Sequence, residues 1–424
     1  MSDARRGRGA RGEKRRRRKP IPAALKGIAG LVVVAIVFLL AAVLGGGGSN
    51  PDPSEQAPAP APAAEGPGQA ETPTAEAAEE LGYPSFATNN TTRVGGSDPA
   101  TTSAGVALAV FPSSTPAQRP AAVTIVDEAD WQGAIAASVL MATPIKSPLL
   151  VSAGSDLPEP TAQALEALDP QGSDATGKAQ VFAIGDAPQP EGLKATAVKP
   201  GQPAAMAASI AELRDTLFGG PPQHVVLAPE EERAFAMPAV AWAARSGDPV
   251  LFSGTDKLPA ATAAALKRHP QVPVYVLSPS SAISSDVVRE VAEIDKRVRR
   301  VSGEDPVENA IALARYASGD FGWNVNDPGH GFVVARSDAP LTAAVASPLS
   351  ASGTWGPLLL SDDAGTLPPA LRDYLLDVKP GYTTDPTRAF YNHVWVIGDQ
   401  EAIDVNQQAE LDQLAELARI GGEE

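Results

Sequence analysis

Short apolar runs alternate with alanine-rich stretches from about Tyr83 to the end of the chain. The apolar runs fit buried strands, and the alanine-rich stretches, separated from them by Pro and Gly, fit helices. Strand and helix signals that alternate in this way are typical of a parallel sheet covered by helices. The pattern predicts an α/β fold.

The apolar pattern is repeated three times. Pro148–Ser152 (PLLVS) recurs as Pro249–Ser253 (PVLFS) and Pro357–Ser361 (PLLLS), and a Leu-Pro pair follows each copy, at Leu157, Leu258 and Leu367. Each copy predicts a buried strand, a short loop and a helix with proline in its first turn.

Other features recur in the same order. A second strand is predicted at 181–186, 274–279 and 394–399, and an insertion at 381–392, predicted to be a loop, delays it in the third copy. Similar opening segments carry Pro99, Pro203 and Pro306, which lie 104 and 103 residues apart. Further strands are predicted at 122–127, 224–228 and 332–335, and a helix at 307–316. We therefore predict three tandem Rossmann-like repeats at 83–194, 195–295 and 296–424, the last with a C-terminal helix.

The N-terminal part has a different composition. Residues 27–44 contain no charge and, with the following glycines, predict a transmembrane helix at 27–48. Residues 1–26 form a basic tail with eleven Lys or Arg, which places the N-terminus in the cytoplasm and the repeats outside the cell membrane. Residues 49–82 repeat Ala-Pro and predict a disordered linker. A signal peptide cleaved near residues 45–48 is the alternative.

Charge and cysteine content narrow the classes of function. The chain has 34 basic and 50 acidic residues; the first 26 hold eleven and two of these, so the remainder has 23 and 48, a net of −25. The basic tail alone could bind nucleic acid, but the apolar segment after it favours membrane topology, and no nucleic-acid partner is expected. Without cysteine there is no disulfide framework and no thiolate site.

The repeated motifs resemble the cell wall-binding repeat 2 family of bacterial surface proteins. The likeness covers about residues 86–410 and is carried by the Arg-Val openings (Arg93, Arg300), the Pro-Leu-Leu-x-Ser strands, the Leu-Pro helices and the Ile-Gly-Asp strand (397–399). The resemblance implies three tandem copies and a cell-wall polymer as partner. Proline replaces the family's arginine after each opening, and Gln132 and Thr342 stand where the family's aspartate begins a helix. These departures are at polar positions, whereas the apolar frame of the repeats is kept.

Acidic residues follow the predicted central strands. Asp127, Glu128 and Asp130 follow the first, Glu230–Glu232 the second, and Arg336 and Asp338 the third. Ligands on open α/β sheets collect at the carboxyl ends of strands, so these side chains are candidates for a cation or sugar hydroxyls. Acids favoured by the start of a helix are the alternative.

Aromatic and basic residues supply the remaining candidates. Trp323 and Trp355 lie in glycine-rich loops and could stack on sugar rings, whereas Trp242 and Trp395 lie in core patterns. Arg297, Arg299 and Arg300, with Lys296, form a basic cluster that could meet an anionic polymer. A solvated helix or strand face is the alternative.

Catalytic motifs are missing from the sequence. The four histidines lie in no H-E-x-x-H pattern, and no nucleophile elbow or P-loop occurs. We therefore expect a non-catalytic wall-binding protein without a cofactor, with divalent cations as candidate bridges to an anionic polymer. A small-molecule or glycan receptor or assembly scaffold is the second hypothesis, and a glycan-modifying enzyme the third.

Overall fold

A computed structural model of the chain describes residues 86–352 and 356–421. The predicted basic tail (1–26), transmembrane helix (27–48) and linker (49–82) lie outside these residues. Within the described part, no helix is both long and apolar enough to cross a membrane.

The described residues alternate between strands and helices along most of their length. The strands are β1 (Phe86–Ala87), β2 (Thr91–Val94), β3 (Val123–Asp127), β4 (Leu149–Ser152), β5 (Val181–Ile184), β6 (Ala195–Val198), β7 (Val225–Pro229), β8 (Val250–Ser253), β9 (Val274–Leu277), β10 (Val298–Val301), β11 (Gly331–Arg336), β12 (Leu358–Ser361), β13 (Gly381–Tyr382), β14 (His393–Ile397) and β15 (Ala418–Arg419). The helices are α1 (Pro99–Val110), α2 (Trp131–Ala137), α3 (Glu159–Leu168), α4 (Pro203–Phe218), α5 (Arg233–Ala236), α6 (Ala239–Ser246), α7 (Ala260–Arg268), α8 (Ser285–Ile294), α9 (Pro306–Arg315), α10 (Pro340–Val345), α11 (Ser347–Ala351), α12 (Pro369–Asp377) and α13 (Val405–Ala415).

Thirteen of the fifteen described strands form three sheets of parallel strands with one shared order. Sheet 1 is β4-β3-β5-β6, sheet 2 is β8-β7-β9-β10, and sheet 3 is β12-β11-β14-β2, with β1 added antiparallel at its edge. The predicted α/β class is confirmed, and the predicted central strands agree with β3, β7 and β11 to within one residue at each end.

The opening strand of each predicted repeat pairs with the sheet of another repeat. β6 adds to β5 and β10 adds to β9, so each of these openings completes the preceding sheet. Sheet 3 receives β2, from the start of the described chain, beside β14. β2 therefore completes sheet 3 in the way that β6 completes sheet 1 and β10 completes sheet 2.

Buried apolar residues on both faces of the strands explain the parallel sheets. All four residues of β4, β5, β8, β9 and β12 are buried, as expected where helices cover both faces. One core extends from sheet 1 into sheet 2, a second surrounds sheet 3, and a third fills the other face of sheet 1.

The alanine-rich helices of the three units pack against one another. α2 contacts α10, and α11 contacts both α6 and the 3-10 turn at Ser138–Met141. α6 is buried from Ala239 to Ala244, with alanine at four of the six positions. Small side chains allow the helices to approach closely, and this contact brings the three strand ends together.

The Leu-Pro helices are tied to their strands by a repeated hydrogen bond. Thr161 Oγ1 donates to the carbonyl of Val151, and Thr262 Oγ1 donates to that of Phe252, both at 2.6 Å. Leu371 holds the corresponding place in α12 and packs in the apolar core. Pro158, Pro259 and Pro368 each lie one residue before the helix, at its N-cap.

The insertion in the third unit is mostly irregular. Gly381 and Tyr382 form β13, which pairs with β15, and Pro386–Arg388 form a 3-10 turn. The prediction of a loop is therefore wrong for the first two residues, because a partner strand distant in sequence pairs with them.

Candidate functional site

The loops after the central strands of the three sheets meet at one place. Asp127, Pro229 and Arg336 hold the same position, since each pairs with the last serine of the neighbouring strand. Gln132 Nε2 donates to the carbonyl of Glu230 at 3.3 Å, which joins the loops of sheets 1 and 2. The carboxyl ends of the sheets thus form one shared face.

A cleft of about 480 Å³ lies where these loops meet, and we call it the three-loop cleft. Each sheet contributes to its wall: Trp131 from the first loop, Glu231, Glu232, Arg233 and Ala234 from the second, and Ser337 and Asp338 from the third. Trp131 stands edge-on to Phe252, with ring centroids 6.1 Å apart, and this contact holds the indole in position.

Burial makes two of the nearby carboxyl groups less acidic. Burial raises the pKa of Asp130, although the hydrogen bond from the Gly133 amide acts in the opposite direction. The negative charges of Asp127 and Asp186 raise the pKa to a smaller extent. Burial and the neighbouring Glu231 raise the pKa of Glu230. The face is strongly acidic, which favours neutral or amine-bearing groups over polyanions.

The predicted acidic residues have mainly local roles in sheet 1. Asp127 accepts hydrogen bonds from the amides of Ala129 and Gly154 and thereby shapes the loop. Asp130 is the N-cap of α2 and accepts from the Gly133 amide at 2.8 Å. Glu128 is exposed. None of the three lines the three-loop cleft, although all lie on the loop that carries Trp131.

Arg336 and Asp338 border a second opening, of about 250 Å³, between three loops of sheet 3. This opening, the sheet-3 crevice, is lined by the loop after β2 (Gly96–Pro99), Thr102, the residues Arg336, Asp338, Ala339 and Thr342, and the turn after β14 (Ile397–Asp399, Glu401, Ala402). Asp338 also lines the three-loop cleft, so the two openings adjoin. The crevice lies between β11 and β14, where the strand order reverses, which is the usual ligand position on such sheets.

Of the two tryptophans predicted to stack on sugar rings, the structure describes only Trp323. Trp323 is half-buried and packs edge-on to Trp242 at 5.7 Å between centroids, and its indole N–H is buried without an acceptor. Phe321, in the same loop, stacks on Tyr275 at 3.6 Å, so this loop covers sheet 2. Trp355 lies outside the described residues.

The predicted basic cluster lies on and just before β10, the edge strand of sheet 2, and lines neither opening. Arg297 pairs with Asp295, and Arg299 donates to Ser318 Oγ. Arg300 is half-buried and donates to the carbonyls of Ser278 and Ile283 at 2.5 and 2.8 Å. Arg297 and Arg299 remain exposed.

Several lining residues were not singled out from the sequence: Trp131, Arg233, Ser97, Thr342 as a ligand contact, and Asp399. The alignment of the three strand ends would have found the first two, since Trp131 and Arg233 each begin a helix after equivalent strands. In the described part of the chain, no three acidic or histidine side chains are grouped closely enough to hold a metal ion.

Three parallel sheets, joined by exchanged strands around one acidic face, define the architecture. No known protein family and no curated protein matches the chain by sequence. Two solved structures share the fold: Cwp6 from Clostridium difficile (TM-score 0.61) and Cwp8 from Clostridium difficile (TM-score 0.58), each 18% identical over 77% of this chain. The match covers 48% of Cwp6 and 52% of Cwp8, so this chain spans about half the length of either.

Proposed function

We propose that this protein is a cell-wall-associated surface protein that holds a wall polymer, without altering it chemically, on the face formed by the carboxyl ends of its three sheets. The observation that carries the proposal is the three-loop cleft, because all three sheets contribute to it. The fold shared with Cwp6 and Cwp8, which are cell wall proteins, supports the proposed association with the cell wall.

The lining of the three-loop cleft suits a glycan. Trp131 offers an aromatic surface against which a sugar ring can pack, and Arg233 and Ser337 offer hydrogen-bond donors. Glu231, Glu232 and Asp338 accept hydrogen bonds from sugar hydroxyls or amines. A polyanion would meet these three carboxylates with only one arginine in the lining to offset them, so a neutral or amine-bearing stretch of polymer is the better partner.

Membrane attachment is part of the proposal. The uncharged segment at 27–48 would anchor the chain with its basic tail in the cytoplasm, and the Pro/Ala-rich linker would hold the sheets away from the membrane. A wall contact by the sheets would then add a second attachment point to the anchor.

A glycan or small-molecule receptor is the second candidate, and the volume of the three-loop cleft, about 480 Å³, is large enough for a soluble fragment. It differs from the first candidate in one respect, since a receptor binds soluble fragments without retaining the protein on intact walls. A glycan-modifying enzyme, the third, would release sugar or peptide from the wall.

Sedimentation with purified cell walls tests the proposal. We expect the full-length chain to pellet with walls, and Trp131→Leu or Arg233→Gln to weaken this by about tenfold, as removal of a central aromatic or arginine contact does. Arg289→Gln, which changes an exposed arginine on α8, is the matched control and should pellet like the wild type.

The assay is run with calcium and with a chelator, because divalent ions could bridge acidic protein to anionic polymer. Failure to pellet in both conditions contradicts wall association. Binding of soluble fragments without pelleting favours the receptor, and release of sugar or peptide into the supernatant favours the enzyme.

A further inference from the structure

In sheet 3 a crevice lies next to the N-cap of the helix after the central strand, at the position where sheet 1 has the Asp130 side chain. Asp130 and Ala339 hold the same position, the N-cap of the helix that follows the central strand. In sheet 1 the Asp130 carboxylate and the Met206 sulfur lie over Gly185, only 3.3 and 3.4 Å from where a Cβ would be. Gly398 is the equivalent glycine in sheet 3. A Cβ there would meet the methyl group of Ala402 at 2.8 Å and no carboxylate, and Ala339 lines the crevice beside this turn.

Hydrogen-bonding groups around the sheet-3 crevice are left without partners. Arg336 is 19% exposed, and its Nε–H is buried with no acceptor, while its Nη2 donates to Asp338 at 3.1 Å. The hydroxyls of Ser97 and Thr342 form no hydrogen bond within the described part of the chain. A group that enters the crevice can therefore accept hydrogen bonds from the two hydroxyls, whereas the buried Arg336 Nε–H is not accessible to it.

Acceptors lie beside these donors. Asp399 uses Oδ1 for the amides of Glu401 and Ala402, which leaves Oδ2 open, and Asp338 keeps its second oxygen. A hydroxyl group both donates and accepts, so a ring with several hydroxyls matches this mixed set better than a group that only accepts or only donates.

The charge and the volume of the crevice further limit the class of ligand that it can bind. Four carboxylates (Asp98, Asp338, Asp399 and Glu401) and one guanidinium (Arg336) line the crevice, which disfavours phosphate or a uronic acid. The guanidinium disfavours a simple cation, and these carboxylates do not form a metal-binding group among the described residues. A volume of about 250 Å³ is below the usual range for drug-sized ligands and suits a single small ring.

We propose that the sheet-3 crevice binds one neutral monosaccharide unit through Arg336, Ser97, Thr342, Asp338 and Asp399. The inference deepens the proposed wall association and rests on it for the source of the sugar, as one residue of the polymer held in the adjoining three-loop cleft. The two openings share Asp338, so a glycan chain can extend from one into the other.

Ligand-observed saturation-transfer NMR on the purified full-length chain tests the inference. The probes are glucose, mannose and N-acetylglucosamine, with methyl phosphate and methylamine, whose methyl protons are observable, as the anionic and cationic comparisons. We expect transfer to at least one sugar, and none to methyl phosphate or methylamine. A signal from methyl phosphate or methylamine alone, or from no probe, overturns the inference.

Two substitutions at one position separate occupancy from folding. Ala339→Asp introduces the side chain that fills sheet 1, caps α10 and should reduce the sugar signal at least about fivefold, because the ring and the carboxylate compete for the same space. Ala339→Ser also caps the helix but is shorter and should keep the signal. An unchanged signal in Ala339→Asp overturns the inference.

Thr342→Val keeps the side-chain volume and removes one hydroxyl. It therefore provides a second test of sugar binding if Ala339→Asp fails to fold. It should weaken the sugar signal, and an unchanged signal counts against the site. Wall sedimentation of the wild type keeps the two proposals distinct: pelleting without a sugar signal overturns only the crevice, whereas a sugar signal without pelleting overturns only wall association.

Discussion

The buried carboxylate of Asp248 shows how single residues hold the sheets to their loops. Its Oδ2 accepts from Trp242 Nε1 at 2.9 Å and lies 3.1 Å from His224 Nδ1, while Oδ1 accepts from the His224 amide at 2.9 Å. The sequence indicated a core position for Trp242. It did not indicate that one aspartate joins Trp242 to His224, because that contact depends on the pairing of β7 with β8.

Asp130 gives a prediction about pH. Because burial raises the pKa of Asp130 in the folded chain above its ordinary value of 3.8, the folded state binds this proton more tightly than the unfolded state. Its contribution to stability is therefore complete below about pH 3.8 and is lost as the pH rises through the folded pKa. Asn at this position keeps the cap on Gly133 but cannot titrate.

We expect the free energy of unfolding of the wild type, minus that of Asp130→Asn, to fall as the pH rises from about 4 towards 7. Urea unfolding at a series of pH values measures the difference, and all other titrating groups are common to both proteins. A constant difference would show that folding leaves the pKa of Asp130 unchanged, and a difference that grows with pH would show that the carboxylate is better stabilised in the fold than in water.

At the scale of elements, an arginine holds two of the three opening strands in place, β2 and β10. Arg93, 2% exposed on β2, donates to Gln408 Oε1 and to the carbonyls of Gly398, Asp399 and Ile403 at 2.6 to 3.0 Å. Arg300 on β10 makes two equivalent carbonyl bonds in sheet 2, and Ala197 on β6 makes no side-chain bond of this kind in sheet 1. The arginine of the repeat opening thus clamps the turn after the neighbouring strand.

Replacing Arg93 by Met should destabilise the protein more than replacing Arg300 by Met, since four acceptors rather than two lose their donor. We expect a cost of about 3 kcal/mol or more for Arg93→Met. Urea unfolding compares the two variants, and hydrogen exchange should show the loss of protection first in 393–415 for Arg93→Met and in 274–294 for Arg300→Met. Equal costs would mean that the clamp on β2 is no stronger than its copy on β10.

The order of the elements was predictable because each has a local signal. Apolar runs of β-branched residues and leucine marked the strands, and Leu-Pro pairs marked the helix starts. The exchange of opening strands was not predictable in this way. A strand's sequence does not state which edge it joins, and β2 lies some 300 residues from β14, its partner in sheet 3.

At the scale of the molecule, the proposed association with the cell wall depends on the net charge of the protein. Residues 27–424 carry a net charge of −25, so long-range repulsion opposes approach to a polyanion. Short-range contacts with sugar hydroxyls are little affected by salt, whereas the repulsion is screened at a Debye length of about 10 Å in 0.1 M salt.

We therefore expect wall sedimentation to stay constant or increase as sodium chloride is raised from about 0.02 to 0.3 M. A double substitution of Arg297 and Arg299 by Gln should leave that profile unchanged, because these exposed side chains lie outside both openings. A steep loss of binding with salt, abolished by the double substitution, would instead make the basic cluster the contact with the wall.

The sequence by itself determined the α/β class, the three central strands and the placement of carboxylates where those strands end, because hydropathy and proline positions act over a few residues. The tertiary structure alone decided which of those residues share a cavity. Packing of the alanine-rich helices brings Trp131, Arg233 and Asp338 from loops about 100 residues apart to one cleft. Ala339, at the position of the Asp130 cap, borders a crevice only because sheet 3 includes β2, and the loop after β2 lines that opening together with Gly398.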